Sequence, residues 1–89
     1  MTVYYVTDLR NAPRHAPKGG LDKAGYRKVA MVETDDLDVA FRQMNAVDGN
    51  ELCCQLRVRS MSVGDVAVDA DGVAHLCCSM GWEATSFAQ

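Results

Sequence analysis

Histidine is scarce in this chain. His15 and His75 are its only two imidazoles, and so its only unperturbed acid–base groups near neutrality. Neither stands beside a Ser or Cys in a nucleophile pattern, and no H-E-x-x-H, G-x-S-x-G or phosphate-cradling glycine loop occurs. Gly19-Gly20 is too short for a nucleotide loop. Asp35, Asp36 and Asp38 have no following ligand run that would make a cation loop. We therefore expect no enzyme and no cofactor. Proline and glycine are also few, two and seven residues, which excludes a fibrous or low-complexity chain. Apolar runs end after a handful of residues, so no membrane span is expected. The opening Met-Thr-Val-Tyr-Tyr-Val-Thr-Asp has no basic flank or long apolar core, so no secretory signal is expected and the cytoplasm is the default address.

What is present is an ordinary globular balance, 48% hydrophobic and 24% charged over 89 residues. That length makes one small domain, residues 1–89, burying roughly 60–65% of its unfolded surface. The four cysteines form two adjacent pairs, Cys53-Cys54 and Cys77-Cys78. Neighbours on a strand point to opposite faces, so vicinal pairs do not converge as the C-x-x-C spacing of a zinc site does. Reduced, partly buried thiols are the plain reading, with a zinc or thiol module of Cys53, Cys54, Cys77 and Cys78 as an alternative. A Cys53–His75 pair across neighbouring strands is a further arrangement.

Charge is segregated along the chain. Arg10, Arg14, Lys18, Lys23, Arg27 and Lys28 face only Asp22 between Leu9 and Val32, whereas Glu33, Asp35, Asp36, Asp38, Asp48 and Glu51 face only Arg42 in the segment that follows.

Thr2 to Thr7 is β-branched and aromatic and reads as a strand. Asp8 to Gly20 carries Asn11, Pro13, Pro17, Gly19 and Gly20 and reads as part of a basic surface loop at about 8–25, with a short helical turn near Leu21 to Ala24. Tyr26 to Glu33 reads as a second strand. Thr34 is a natural N-cap for a helix at about 35–45. Leu37, Ala40, Phe41 and Met44 form its apolar stripe, and Asn45 to Asn50 ends it. Leu52 to Arg59 alternates, with Leu52, Cys54, Leu56 and Val58 inward and Cys53, Gln55, Arg57 and Arg59 outward, and so reads as a strand with one wet face. A turn at Ser60 to Asp65, a strand from Val66 to Asp69, an Asp71-Gly72 hairpin and a return from Val73 to Met80 follow. Glu83 to Gln89 reads as a strand end or frayed tail. The expected fold is α+β: a mainly antiparallel sheet of four to five strands with one helix packed on one face.

Arg59-Ser60-Met61-Ser62-Val63-Gly64-Asp65-Val66, then an Asp-Gly turn and Cys78-Ser79-Met80-Gly81-Trp82, resembles the YodL-like domain family. Leu37-x-x-x-Phe41-Arg42-x-x-Asn45 resembles that family's helix, so the likeness spans roughly Val29 to Thr85. It implies a small domain of phages, plasmids and conjugative elements, with no defined reaction, ligand or catalytic residues.

The Ser60–Val66 turn also has a purely local explanation. Ser60 and Ser62 bond nearby backbone, Gly64 permits an unusual φ, Asp65 caps the turn, and Val63 and Val66 enter the core. If exposed, Ser60, Ser62 and Asp65 would instead recognise a partner. The leading expectation is a non-enzymatic interaction module of a mobile element, an inhibitor or adaptor of a host or element-encoded protein such as a defence component. Its candidate contacts are Asp35, Asp36, Asp38, Arg57, Arg59, Ser60, Ser62, Asp65 and an exposed Trp82, with Phe87 nearby; the other reading of Trp82, and the preferred one, is a core plug at the sheet's end. The alternative is an accessory nucleic-acid binder using Arg10, Arg14, Lys18, Lys23, Arg27 and Lys28, with Tyr26 stacking on a base. The acidic pI near 5.1 runs against it. An exposed edge strand would support a homodimer.

Overall fold

Five strands, β1 (Thr2–Val6), β2 (Tyr26–Met31), β3 (Val66–Val68), β4 (Ala74–Cys78) and β5 (Gly81–Thr85), pair antiparallel in the order β2-β1-β3-β4-β5. Two short helices, α1 (Leu37–Gln43) and α2 (Leu52–Leu56), complete an α+β fold. These come from a computed structural model that describes residues 1–88. No helix among them is long and apolar enough to cross a membrane.

The alternation of strand side chains builds two cores. Val3, Tyr5, Ala30 and Ala67 face the helices and pack with Met44, Cys53 and Met61. Val66, Ala74 and Leu76 face the other way, against Leu21 and the rings of Tyr4, Tyr26 and Phe87. This second face is covered by the basic 8–25 segment together with the C-terminal residues. The Phe87 ring stands edge-on to Tyr4 at 5.3 Å and Tyr26 at 5.5 Å. Leu21 pairs with the tail, its amide donating to the Ser86 carbonyl (2.8 Å) and its carbonyl accepting from Ala88 (2.7 Å). The Glu83 carboxylate on β5 accepts from the Ala16 amide (2.7 Å) and lies 3.0 Å from His15 Nδ1. Burying a residue such as Leu21 contributes about 1.5–3 kcal/mol, so the loop is a built layer of the fold.

In α1 the apolar stripe packs on the sheet through three of its four members: Ala40 and Met44 are buried and Leu37 is half-buried, whereas Phe41 is 39% exposed. The cap is Asp36, whose carboxylate accepts from the Asp38 amide at 2.8 Å; Thr34 accepts from the Asp36 amide one turn earlier. The Asp69–Val73 hairpin also forms as expected, with the Asp69 carboxylate accepting from the amides of Asp71 and Val73 and Gly72 at φ +84°. Glu83 does not fray but sits within β5, which joins β4 through the two-residue turn Ser79-Met80. Gln89, at the end of the expected tail, lies outside the described residues.

Leu52 to Arg59 corrects the sequence reading. It is not a strand: Leu52–Leu56 is helical, and Arg57 ends the turn in the left-handed region at φ 56°. Cys53, expected outside, is buried among Met44 and Met61, whereas Leu56, expected inside, is exposed. Local hydrogen bonds set the helix start. The Glu51 carboxylate accepts from the amides of Val47 (3.2 Å), Asp48 (3.0 Å) and Gly49 (3.0 Å), and the Gln43 side chain accepts from the Leu52 amide (3.2 Å).

Candidate functional site

The Arg59–Val66 turn wraps around a buried carboxylate. Asp65 is 0% exposed and its oxygens accept from Arg59 at 2.7 and 2.9 Å, from the Ser62 amide at 2.7 Å and from the Val6 amide at 2.9 Å. The Arg59 guanidinium also lies 4.1 Å from the centre of the Tyr5 ring, and the Tyr5 hydroxyl donates to the Arg59 carbonyl at 2.8 Å. The hydrogen bonds to Asp65 hold the guanidinium more firmly protonated than usual. Burial, reinforced by the Asp65 charge, pushes the Tyr5 hydroxyl upward. The backbone closes the same corner: Cys77 donates to the Asp65 carbonyl (2.8 Å), Gly64 to the Cys77 carbonyl (2.9 Å), and the Tyr26 hydroxyl to the Gly64 carbonyl (2.7 Å). The motif is thus a clamp joining the turn to β1 and β4.

Two expected contact residues change role as a result. Asp65 is wholly inside and forms no exposed contact, and Arg59 is committed to it as an ion-pair partner while staying partly exposed. Arg57 is exposed, but on the left-handed helix end and not on a wet strand face. Ser60 and Ser62 are exposed; the Ser60 hydroxyl accepts from the Ala46 amide at 3.2 Å. Asp35, Asp36 and Asp38 are exposed at and before the α1 start. Trp82 and Phe87 are half-buried, and Trp82 packs at the margin of the first core, between the exposed-contact and core-plug readings. Trp82 stands edge-on to Phe41, centroids 6.1 Å apart.

Beside the clamp, α1, the Met61–Val63 segment and the β4–β5 turn enclose a cleft of about 420 Å³. Phe41, Met61, Val63 and Trp82 give it apolar walls, and Asp38, Ser62 and Ser79 supply polar edges. Met80, in the adjoining turn, is 95% exposed. A second cleft of about 340 Å³ lies under the basic loop between Tyr26, Asp8 and Asp22. The Asp8 carboxylate there is occupied by Arg10 and Asn11, and that of Asp22 by the Ala24 amide.

The cysteines do not gather. Cys53 and Cys54 lie on α2 and Cys77 and Cys78 on β4, and among the described residues no group of three or more His, Cys, Asp or Glu could hold a metal ion. The zinc alternative therefore loses its ligand set. Burial, then the Asp65 charge, pushes the Cys77 thiol up to about 11; burial is also the main cause of the upward shifts of Cys53 and Cys78. His75 lies 2.8 Å from the Asp69 carboxylate, which it holds below the usual range, and Cys53 belongs to a helix, so the cross-strand Cys53–His75 pair does not form.

The basic residues are distributed over several elements. Arg10 pairs with Asp8, Arg14 and Lys18 lie on the loop, Lys23 opens a 3-10 turn, and Arg27 and Lys28 are consecutive on β2 and so point to opposite faces. Tyr26, the proposed base-stacking ring, packs instead in the second core.

The apolar cleft was missed in the sequence because its walls come from three separated segments. Comparison with family profiles, with curated proteins and with solved structures finds no match to this chain.

Proposed function

We propose that this chain is a non-enzymatic protein-interaction module that receives a partner at the Phe41–Trp82 cleft. It would act as an inhibitor or adaptor encoded by a mobile element, the setting that the YodL-like resemblance implies. The observation that carries this reading is the cleft itself, apolar-walled and bordered by the almost fully exposed Met80. Apolar and aromatic groups at the centre of a polar rim are the usual anchors of protein interfaces. A thioether held in water at a two-residue turn gains nothing for the fold but gains burial when covered.

The test is photo-crosslinking in the native host from a benzoylphenylalanine placed at position 80, with position 71 as control. Residue 71 lies in the hairpin at the opposite end of β4. We expect a discrete adduct from position 80 that disappears when Phe41→Asp is added. Equal labelling from both positions, or none from position 80, would sink the proposal.

A further inference from the structure

The groove that holds Phe41 and Trp82, together with the depression beside it, is lined by charges of opposite sign. Val63 and Ser79 line the 420 Å³ cleft and also a smaller depression of about 210 Å³, so the two adjoin. Arg14 walls the smaller depression and Asp38 is the charged residue lining the larger. Neither takes part in an ion pair among the described residues. Arg14 is carried there by the loop that Ala16 and Glu83 pin to β5, and Asp38 by the α1 turn that Asp36 caps. Both charges therefore stand on fixed backbone, Asp38 beside the apolar walls of Phe41, Met61, Val63 and Trp82 and Arg14 beside the Val63–Ser79 depression that adjoins them.

We infer that the groove's occupant is a short segment of a partner protein that has one large apolar side chain, a cationic residue on the Asp38 side and a carboxylate on the Arg14 side. This rests on the protein-interaction reading and adds the chemistry and direction of the bound segment. Opposed charges at the rim fix register and orientation while the apolar side chain supplies most of the affinity.

Random twelve-residue peptides displayed on phage, selected against the full chain and against Asp38→Lys and Arg14→Glu variants, test it. Both positions are exposed, and circular dichroism checks that each variant is folded. Wild-type protein should enrich a large aliphatic or aromatic residue between a cation and an acid, and Asp38→Lys should exchange the cation for an acid. Trp82, the only tryptophan, should change its emission as synthetic versions of these peptides bind. Each charge reversal should weaken the wild-type peptides on the order of tenfold at low salt and less at high salt. Peptides that shift Trp82 but ignore both reversals would overturn the charge assignment and leave the interaction reading standing. Failure to enrich any peptide that shifts Trp82 would count against both. A concentration-dependent dimer abolished by Met80→Glu would make the occupant a second copy of this chain and overturn the inference.

Discussion

Replacing Asp65 by alanine should severely destabilise this domain. The carboxylate serves the Val6 and Ser62 amides and both terminal nitrogens of Arg59. Removing one member of a buried ion pair costs about 3–5 kcal/mol. The Arg59 side chain is 30% exposed, so water relieves part of this and the lower end, about 3 kcal/mol, applies. The Val6 amide is then left inside without an acceptor, adding about 1–2 kcal/mol. A loss of about 4–5 kcal/mol takes between about a third and all of the total available to a domain of this size, about 4–13 kcal/mol. Asp65→Asn retains one acceptor oxygen but turns an amide toward Arg59, and should lose about 2–3 kcal/mol. Arg59→Ala should lose a similar amount, and adding it to Asp65→Ala should cost little more because the two act as one unit. Urea unfolding followed by Trp82 emission measures all four proteins. At a slope of about 1–2 kcal/mol per molar urea, Asp65→Ala should move the midpoint by at least about 2 M or leave no transition. A loss below about 1.5 kcal/mol, or full additivity with Arg59→Ala, would refute the clamp.

Gly64 has φ +99°, and a Cβ there would sit 2.5 Å from Ala12 Cβ; Gly64→Ala should therefore cost about 2–3 kcal/mol, and adding Ala12→Gly should recover only the steric part, as read by thermal or urea unfolding. The Glu51 carboxylate is held down to about 2 from 4.5, chiefly by the Asp48 amide and its own. Its folded pKa lies below the unfolded one, so the stabilisation is complete above about pH 4.5 and disappears as pH falls toward 2. The difference in urea midpoint between wild type and Glu51→Gln should accordingly be constant above pH 5 and shrink below it; a difference independent of pH would exclude this role. Cys77 is buried and its thiol is raised to about 11 from 9.0, so it should react with a disulfide reagent at pH 8 at least about tenfold more slowly in native than in unfolded protein, the scarcer thiolate outweighing its greater nucleophilicity. Equal rates would place the thiol at the surface.

The elements legible in the sequence are those whose signals repeat over several residues. The Thr2–Val6 and Tyr26–Met31 strands, the Leu37–Met44 stripe and the Asp71-Gly72 hairpin each combine a periodicity or composition with a turn signal, and each forms. Leu52 to Leu56 spans too few residues to separate a period of 2 from one of 3.6. Its choice of helix comes from Gln43 and Glu51 meeting its first turn and from the space beside Met44 and Met61 that takes Cys53. For the candidate site, the Ser60–Asp65 turn was legible as a turn. Which of its polar groups face inward was not, because a carboxylate enters a core only where partners converge on it, and Val6 lies fifty-nine residues away.

The residue pattern alone thus determined an α+β chain of antiparallel strands with one amphipathic helix, since strand and helix periodicities are local properties of the backbone. Tertiary structure decided the rest: the second covered face, the burial of Asp65 beneath Arg59, and the apolar cleft assembled from α1, the 61–63 segment and the β4–β5 turn. Burial and convergence depend on which distant segments meet, and no spacing within a single stretch of chain encodes that meeting.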